Sequence, residues 1–216
     1  MNILITGFEP FGGETINPSW EVARALQGEH IAGAVVHARC LPTSFGAAPP
    51  LLVEALATVQ PVLVIGLGQA SGRSEISIER IAVNLIDARI ADNDGARPQE
   101  VPVRAGAPAA CFSTLPVKAM RDALRAAGHP AGLSLSAGAF VCNQVFFELQ
   151  HRLAGTGVKS GFIHLPALPE QASCAQPALP SMGLAAQVAA IRLAIAVALT
   201  GNGAGPTPPD EGSPTS

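Results

Sequence analysis

The sequence predicts a single α/β domain in which helices cover both faces of a mixed, mainly parallel β-sheet. Three observations predict this three-layer α/β/α sandwich: short apolar segments alternate with amphipathic ones, turns rich in Gly and Pro separate them, and 216 residues fit one such domain. We therefore expect one domain over residues 1–200. Residues 201–216 are rich in Gly, Pro, Ser and Thr and are expected to form a disordered tail.

The elements of the N-terminal half follow from local sequence signals. Residues 2–6 are apolar enough for a buried strand, which ends in a loop rich in Gly and Pro. Asn17 is a suitable N-cap for a helix that begins at Pro18 and runs to about Leu26, because proline is favoured at the first helical position. The same alternation then predicts a strand at 34–40, a helix at 49–57, and strands at 61–65 and 76–86.

The C-terminal half begins with residues 87–110, whose Gly, Pro and charged residues predict a long loop or hairpin. After it, the pattern predicts a helix at 114–127, a strand at 133–135, a helix at 141–153, a strand at 158–165 and an Ala-rich helix from 183. The last helix contains Gln187 and Arg192 and carries its larger apolar residues on one stripe. We therefore expect it to dock on the sheet and not to span a membrane.

Composition argues against several function classes. The formal net charge is −3 and the chain has no run of Lys or Arg, so we expect no nucleic-acid partner. The N-terminus lacks the basic region and long apolar run of a signal peptide, which favours a cytoplasmic protein. Because 48% of the residues are hydrophobic and only 13% are charged, exposed apolar patches should be buried by self-association.

The cysteines Cys40, Cys111, Cys142 and Cys174 are scattered along the chain without a C-x-x-C motif. In a chain of this size such spacing indicates free thiols in a reducing compartment, not a disulfide framework. The sequence also lacks H-E-x-x-H and the other His/Cys spacings of metal sites, so no metal is predicted. The reactivity of Cys174 stays open.

One segment, residues 139–144 (AFVCNQ), places a cysteine where a loop turns into a helix, and Gly138 provides a flexible approach. A thiol at a helix N-terminus lies among unpaired backbone N–H groups and near the positive end of the helix dipole. Both features favour thiolate over thiol. The same N–H groups are donors for a developing oxyanion, which makes Cys142 a candidate nucleophile. A buried, inert cysteine is the alternative.

A cysteine nucleophile requires a base and a residue that orients the base. Among the five histidines, His164 ends a buried strand, where open α/β sheets face their active-site crevice; a satisfied core histidine is the alternative. Glu79 is a carboxylate in an otherwise apolar segment, and such residues have a partner. Its alternative is an exposed strand position paired with Arg80.

Two glycine-containing loops raise the question of phosphate binding. Residues 7–13 form only a loose phosphate cradle, because the Lys-Ser/Thr of a P-loop is missing. The sequence Gly66-Leu67-Gly68 follows a strand but precedes no helix pattern, so a dinucleotide site has weak support. A phosphorylase-like transferase of the same fold class is therefore one alternative function. A non-catalytic binding protein of this fold is another.

Many separate motifs occur along the chain in an order that is typical of one family. They are residues 6–13 (TGFEPFGG), 17–20 (NPSW), 68–70 (GQA), 72–73 (GR), 79–84 (ERIAVN), 87–90 (DARI), 92–93 (DN), 112–116 (FSTLP), 140–143 (FVCN), 162–166 (FIHLP) and 168–171 (LPEQ). On these motifs, residues 1–200 resemble pyroglutamyl peptidase type I, also called pyrrolidone carboxyl peptidase, a family of cysteine peptidases. The resemblance implies a phosphorylase/hydrolase-like α/β/α sandwich.

The resemblance also implies roles for individual residues. It implies a triad of Cys142, His164 and Glu79, with Arg89 near the oxyanion. The residues that it assigns to the pocket for the pyroglutamyl ring are Phe8, Phe11, Asn17, Thr43, Gln69, Ile90, Phe140 and Val141.

The activity implied by the resemblance is removal of an N-terminal pyroglutamyl (5-oxoprolyl) residue from peptides through a thioester acyl-enzyme. No cofactor is implied, and the expected assembly is a homotetramer or dimer. Pyroglutamate is a compact lactam without a charged amine, so its pocket needs no carboxylate. A pocket that hydrogen-bonds the lactam N–H and C=O would reject proline, which lacks the carbonyl.

This chain departs from the family at several positions near the predicted site. Leu135 and Ser136 stand where an Asn-Thr pair is usual, and Ala139 replaces a usual Thr. Ala167 and Phe140 occupy positions where tyrosine is frequent, and this chain contains no Tyr. We expect these departures to affect the ring pocket and the loop before Cys142, and to leave the triad unchanged.

Overall fold

The computed structural model describes residues 1–174 and 179–201. The predicted tail lies outside these residues except for Gly201. The elements are β1 (Asn2–Phe8), α1 (Pro18–Leu26), β2 (His30–Ile31), β3 (Ala34–Leu41), α2 (Ala48–Val59), β4 (Leu63–Gln69), β5 (Ile76–Glu79), β6 (Ile81–Val83), β7 (Ala110–Phe112), α3 (Val117–Ala126), β8 (Ala131–Ser134), α4 (Val141–Leu153), β9 (Lys159–Leu165), α5 (Pro169–Cys174) and α6 (Leu184–Thr200).

Seven strands form one sheet in the order β2-β3-β1-β4-β9-β5-β8. The central strands β3, β1, β4 and β9 run parallel, whereas β5 is antiparallel to β9 and β2 is antiparallel to β3. At the far edge β8 pairs in parallel with β5. The sheet is mixed and mainly parallel, which confirms the predicted α/β class.

Helices pack on both faces of the sheet because successive strand residues point to opposite sides. On β1, Ile3 and Ile5 belong to a buried cluster with residues of α1, α3 and α6, while Leu4 belongs to a second cluster with residues of α2 and α4. Each cluster consists mainly of fully buried aliphatic side chains, and the second adds Phe146, Phe147 and Phe162. The three layers predicted from the sequence are therefore present.

Two residues that were singled out in the sequence hold the helices α1 and α6 in place. Asn17 caps α1, since its side chain accepts a hydrogen bond from the backbone N–H of Ser19, and Pro18 is the first helical residue. In α6, Gln187 is buried and donates to the carbonyl oxygens of Pro166 and Met182, which docks the helix on the domain. None of the helices in the described ranges combines the length and apolar character that crossing a membrane requires.

The predicted strand at 76–86 is wrong in its middle, because the chain leaves the main sheet at Arg80. The N–H of Arg80 donates to Ser134 on one side (2.8 Å), and its carbonyl accepts from Ser113 on the other (2.9 Å). Beyond it, β6 pairs with β7 in a separate two-stranded sheet. The strands β2 and β7 and the helix α5 were not predicted, since two to six residues are too few for a periodic pattern.

Candidate active site

A histidine and a glutamate meet at the junction of β9 and β5. Nδ1 of His164 lies 2.8 Å from Oε1 of Glu79, and both side chains are buried. The register explains the contact: Glu79 lies opposite Phe162 on the antiparallel strand, two residues from His164. Glu79 also pairs with Arg73, at 2.9 Å, and not with Arg80 as the alternative reading required. With Nδ1 turned to the carboxylate, Nε2 is the ring nitrogen left without that contact.

Cys142 is the second residue of α4, at the mouth of the same region. Gly138 has a φ of +80°, a left-handed conformation that turns the chain before the helix. The N-cap residue, Phe140, is extended and offers no side-chain hydrogen bond to the first turn. The backbone N–H groups of that turn are therefore free of a side-chain cap and can act as donors to a developing negative charge.

The glycine at position 68 makes room for the sulfur and the imidazole to approach each other. A Cβ built on Gly68 would lie 3.0 Å from Sγ of Cys142 and 3.0 Å from Cδ2 of His164. These two atoms are thus no farther apart than twice that distance. Gly68 was considered in the sequence only as a weak phosphate signal, but its physical role in the structure is to leave this gap open.

The surroundings of Cys142 oppose the thiolate that was expected at the start of α4. Burial raises the pKa of Cys142 to about 12, the negative charge of Glu79 adds to the rise, and the backbone hydrogen bond at Cys142 offsets only part of it. Desolvation of the sulfur and a nearby carboxylate outweigh the helix N-terminus here. A neutral thiol at this position would act as a nucleophile only with a base within reach.

A cavity of about 610 Å³ opens in front of Cys142 and His164. Arg89 is exposed and also lines it. Of the eight residues predicted for the ring pocket, seven line the cavity: Phe8, Phe11, Asn17, Thr43, Gln69, Ile90 and Phe140. Val141 does not, because its side chain is fully buried in the hydrophobic core.

One wall of the cavity is aromatic. The rings of Phe11 and Phe140 lie with centroids 5.2 Å apart and an interplanar angle of 47°, and Phe45 packs edge-on against Phe140 at 5.0 Å. Phe8 is buried behind them against Phe162. Such a wall suits a small ring without charge, since aromatic faces supply apolar area with little conformational freedom to lose.

The polar residues at the cavity are held by the loops around it. Asn17 accepts two hydrogen bonds from Ser19 and donates to the carbonyl oxygen of Glu9 (3.0 Å), so its amide shapes the loop after β1. The hydroxyl of Thr43 donates to the same carbonyl at 3.3 Å. Gln69 donates to Ser71 at 2.9 Å. These bonds fix the positions of the groups that face the cavity.

Sequence reasoning missed two residues that hold the site together. Arg73 lines the cavity and pairs with Glu79. Gln171 is buried: its side chain donates to Gln69 (3.3 Å) and to the carbonyl oxygen of Ile16 (3.2 Å). Both belong to recognised motifs, but their contacts join segments far apart in the chain. Neither residue lies in an apolar segment, so the sequence carried no signal of these contacts beyond the motifs themselves.

The departures from the family pattern fall in different environments. Ala139 lines the cavity, Leu135 is exposed, and the carbonyl oxygen of Ser136 accepts from Arg73. Ala167 is fully buried. Cys40, Cys111 and Cys142 are free thiols, and the side chain of Cys174 lies outside the described part of the structure. In residues 1–174 and 179–201, no group of three or more His, Cys, Asp or Glu side chains could hold a metal ion.

Comparison with known proteins relates this geometry to a family. Residues 1–201 match the family model described as pyroglutamyl peptidase. The pyrrolidone-carboxylate peptidase of Cupriavidus taiwanensis is 55% identical over 202 residues, which cover 92% of this chain and 93% of that protein. The protein of the same name from Klebsiella pneumoniae is 54% identical over 198 residues, covering 91% of this chain and 92% of that protein.

Solved structures show the same fold. The pyroglutamyl peptidase I of Bacillus amyloliquefaciens is 40% identical with a TM-score of 0.88, covering 91% of this chain and 96% of that one. A mutant pyrrolidone carboxyl peptidase from Pyrococcus furiosus is 46% identical with a TM-score of 0.90, covering 92% of this chain and 98% of that one.

Proposed function

This chain belongs to the pyroglutamyl peptidase family, and we propose that it removes N-terminal pyroglutamate from peptides with Cys142, His164 and Glu79 as its catalytic triad. The observation that carries the proposal is the contact of 2.8 Å between His164 and Glu79, together with the sulfur of Cys142, which lies next to Gly68 as the His164 ring does. The family affiliation does not favour a phosphorylase-like transferase or a non-catalytic binding protein.

In the first step, Sγ of Cys142 attacks the pyroglutamyl carbonyl carbon while Nε2 of His164 accepts the thiol proton. The transfer accompanies the attack because the pKa of the thiol, about 12, keeps the resting sulfur protonated. Glu79 stabilises the imidazolium that forms. The carbonyl oxygen becomes an oxyanion, for which the backbone N–H of Cys142 and the side chain of Arg89 are the proposed donors.

In the second step, the C–N bond breaks and the imidazolium of His164 gives its proton to the leaving amine. The acyl group remains on Cys142 as a thioester. Water then attacks the thioester while His164 takes its proton, and the sulfur leaves with that proton returned to it. The products are pyroglutamate and the shortened peptide, and no cofactor takes part in this scheme.

For substrate selection, we propose that the aromatic wall of Phe11 and Phe140 contacts the lactam ring. Thr43 and Gln69 lie at the same cavity and supply polar groups for the lactam N–H and C=O. The backbone of Val141, whose side chain is in the core, is the part of that residue available to the ring. Proline would leave a polar group of the cavity unpaired. Sites built to hydrogen-bond such a group reject the analogue that lacks it by a factor of roughly 10⁴ in kcat/KM.

We also propose that the protein is a cytoplasmic homo-oligomer, a tetramer or dimer, without nucleic-acid or membrane partners. Exposed large apolar side chains on the segment around β6 and β7 support self-association: Leu85, Val101 and Phe112 are 40%, 38% and 52% exposed. Three free cysteines suit a reducing compartment. Sedimentation of the wild type against Phe112→Ser tests this, and a monomeric wild type would contradict it.

The decisive experiment measures hydrolysis of pyroglutamyl, prolyl and glutamyl fluorogenic amides by the wild type and Cys142→Ser. We expect cleavage of the pyroglutamyl amide alone, lost in the variant without a change in thermal unfolding. Near-normal activity of Cys142→Ser would refute the assigned nucleophile. Equal cleavage of the prolyl amide would refute the proposed pocket.

A further inference from the structure

Arg73 connects two parts of the site that the mechanism above treats separately. It follows Gly72, which turns the chain with a φ of +90°, and lies in the loop between β4 and β5. One end of its guanidinium, Nη1, donates to Oε1 of Glu79 at 2.9 Å. The other end, Nη2, donates to the carbonyl oxygen of Ser136 at 3.3 Å. One planar side chain thus joins the carboxylate to the loop before Cys142.

The carboxylate of Glu79 is satisfied on one side only. Oε1 accepts from both Arg73 and His164, while Oε2 is buried and has no hydrogen-bond partner. An ionised carboxylate that is fully buried costs several kcal/mol unless a cation compensates it. His164 cannot compensate it while the imidazole is neutral. The guanidinium of Arg73, which is charged throughout the working pH range, supplies the compensation.

The loop that Arg73 contacts is a tight turn stabilised by its own serines. The hydroxyl of Ser134 donates to the carbonyl oxygen of Ser136, and the hydroxyl of Ser136 accepts from the N–H of Gly138 at 3.1 Å. Four residues later the chain reaches Cys142. A shift of this turn would move the first turn of α4, which carries the sulfur and the oxyanion donors.

We propose that Arg73 is a positioning residue of the triad: it supplies the counter-charge of the buried Glu79 carboxylate, holds that carboxylate aimed at His164, and fixes the turn before Cys142 relative to it. The inference rests on the function proposed above and adds to it a residue that contacts no reacting atom. It also explains why Oε1 of Glu79 contacts both Arg73 and His164: the guanidinium fixes the oxygen, and the fixed oxygen aligns the imidazole.

Two variants separate the charge of Arg73 from its shape. Arg73→Gln removes the charge, and we expect kcat for a pyroglutamyl amide to fall about 10- to 100-fold with KM nearly unchanged. Arg73→Lys keeps the charge but cannot reach Glu79 and Ser136 together. We therefore expect Arg73→Lys to recover part, but not all, of kcat.

The pH profile provides a signature that a merely structural role would not produce. Without the guanidinium, the imidazolium of His164 faces an unopposed carboxylate, so the acid limb of kcat/KM should move to higher pH in Arg73→Gln and stay in place in Arg73→Lys. The other titratable or charged groups at the cavity, namely Cys142, Glu14, Asp87 and Arg89, are the same in both variants. A difference between the two profiles is thus due to the charge at position 73.

A matched control is Arg192→Gln, which breaks an ion pair with Glu29 on the outer surface. It should leave the profile and kcat unchanged. The inference is overturned if Arg73→Gln raises KM and spares kcat, which would indicate a substrate contact. It is also overturned if the Gln and Lys variants lose the same activity with wild-type profiles, which would indicate packing alone.

A measurement without substrate distinguishes this inference from the proposed function. The ring ¹⁵N signals of His164, titrated by NMR, should have a higher midpoint in Arg73→Gln than in the wild type or Arg73→Lys. An unmoved midpoint overturns the inference even if the wild type cleaves the pyroglutamyl amide. A moved midpoint in a protein without that activity supports the inference and rejects the proposed function.

Discussion

Two buried glutamates, Glu148 and Glu79, are both paired with arginine but differ in how their charge is compensated. Glu148, on α4, accepts from Arg104 at 3.2 and 2.9 Å through its two oxygens, and Arg152 donates to it at 2.9 Å. Glu79 has one arginine and one histidine, both on the same oxygen, and its second oxygen has no partner. The first carboxylate has two arginine cations beside it, and the second has one, Arg73.

The difference matches the separate roles that we propose for the two carboxylates, stability for Glu148 and catalysis for Glu79. The cluster around Glu148 anchors the long loop after β6, because Arg104 also exchanges hydrogen bonds with Asn84. Nothing in it has to change charge. In the proposed mechanism, the imidazole beside Glu79 gains and loses a proton, and the carboxylate stabilises the charged form. We therefore expect a change of charge at Glu79 to affect catalysis and one at Glu148 to affect stability.

The sharpest way to break this comparison is to neutralise Glu79. In Glu79→Gln we expect kcat to fall by roughly 10³- to 10⁴-fold with KM largely spared, because the imidazole loses its tautomer and its counter-charge. Steady-state kinetics with a pyroglutamyl amide measures this. A loss smaller than tenfold would mean that Glu79 is an ordinary ion-pair residue like Glu148.

The second prediction adds a methyl group beside Cys142 and His164 without changing any charge. In Gly68→Ala the new Cβ must displace the sulfur, the imidazole or the ring of Phe162, which it would approach to 2.9 Å. We expect a loss of kcat of about 10²-fold, as for other displacements near 1 Å. Gly183→Ala, where a Cβ meets nothing within 4 Å, is the control. Equal activity of the two variants would contradict the proposed arrangement.

The third prediction addresses the Glu148 side. Glu148→Gln should lower the free energy of unfolding by about 2 kcal/mol, because charged hydrogen bonds to two arginines are lost. For a domain of this size that corresponds to a Tm lower by about 4–8 °C. Per folded molecule, kcat should stay within about twofold of the wild type. Thermal unfolding and kinetics on one preparation test both statements, and a catalytic loss at unchanged Tm would refute the assignment.

The smallest effect concerns alkaline pH. The pKa of Cys142 is raised to about 12 from 9.0, so the folded protein keeps a thiol proton that the unfolded chain releases. Its stabilisation is complete below pH 9 and is lost as the pH rises towards 12, by at most about 1.4 kcal/mol per pH unit. The chain has no Tyr to obscure this titration, although burial also raises the pKa of Cys40 to about 11.

Urea unfolding between pH 8 and 10.5 measures that loss. Cys142→Ser should show a shallower decline than the wild type. Glu79→Gln should also decline less, since Glu79 contributes to the raised pKa of the thiol, whereas Glu148→Gln should follow the wild-type slope. Parallel slopes for all the variants would show that the thiol is not the group that titrates.

Much of the fold could be predicted because local signals and burial agree. The helix at 141–153 was predicted with its observed bounds, and the Asn17-Pro18 pair located the start of α1. The break at Arg80 was missed because its cause is tertiary: its N–H and C=O bind different partner strands. Alternation along 76–86 carries no information about which sheet each half joins.

The site could be predicted in its residue types but not in its electrostatics. The motifs named Cys142, His164 and Glu79, and the fold brings His164 and Glu79 into contact at 2.8 Å. The state of the thiol could not be read from the sequence, since the desolvation that raises its pKa depends on packing from several elements. The role of Arg73 depends likewise on a contact with residue 136, distant in the chain.

The reversed direction of β5 has a consequence for how this enzyme could be altered. Because β5 runs against β9, Glu79 reaches His164 from beside Phe162 in the protein interior, and not from the loops at the rim. We therefore expect that the cavity segments outside residues 68–73 and 136–142 can be exchanged without disturbing proton transfer. We expect variants with new sequences in those segments to accept other cyclic amides while Cys142, His164 and Glu79 keep their roles. The fold would then serve as a scaffold for redesigned exopeptidases.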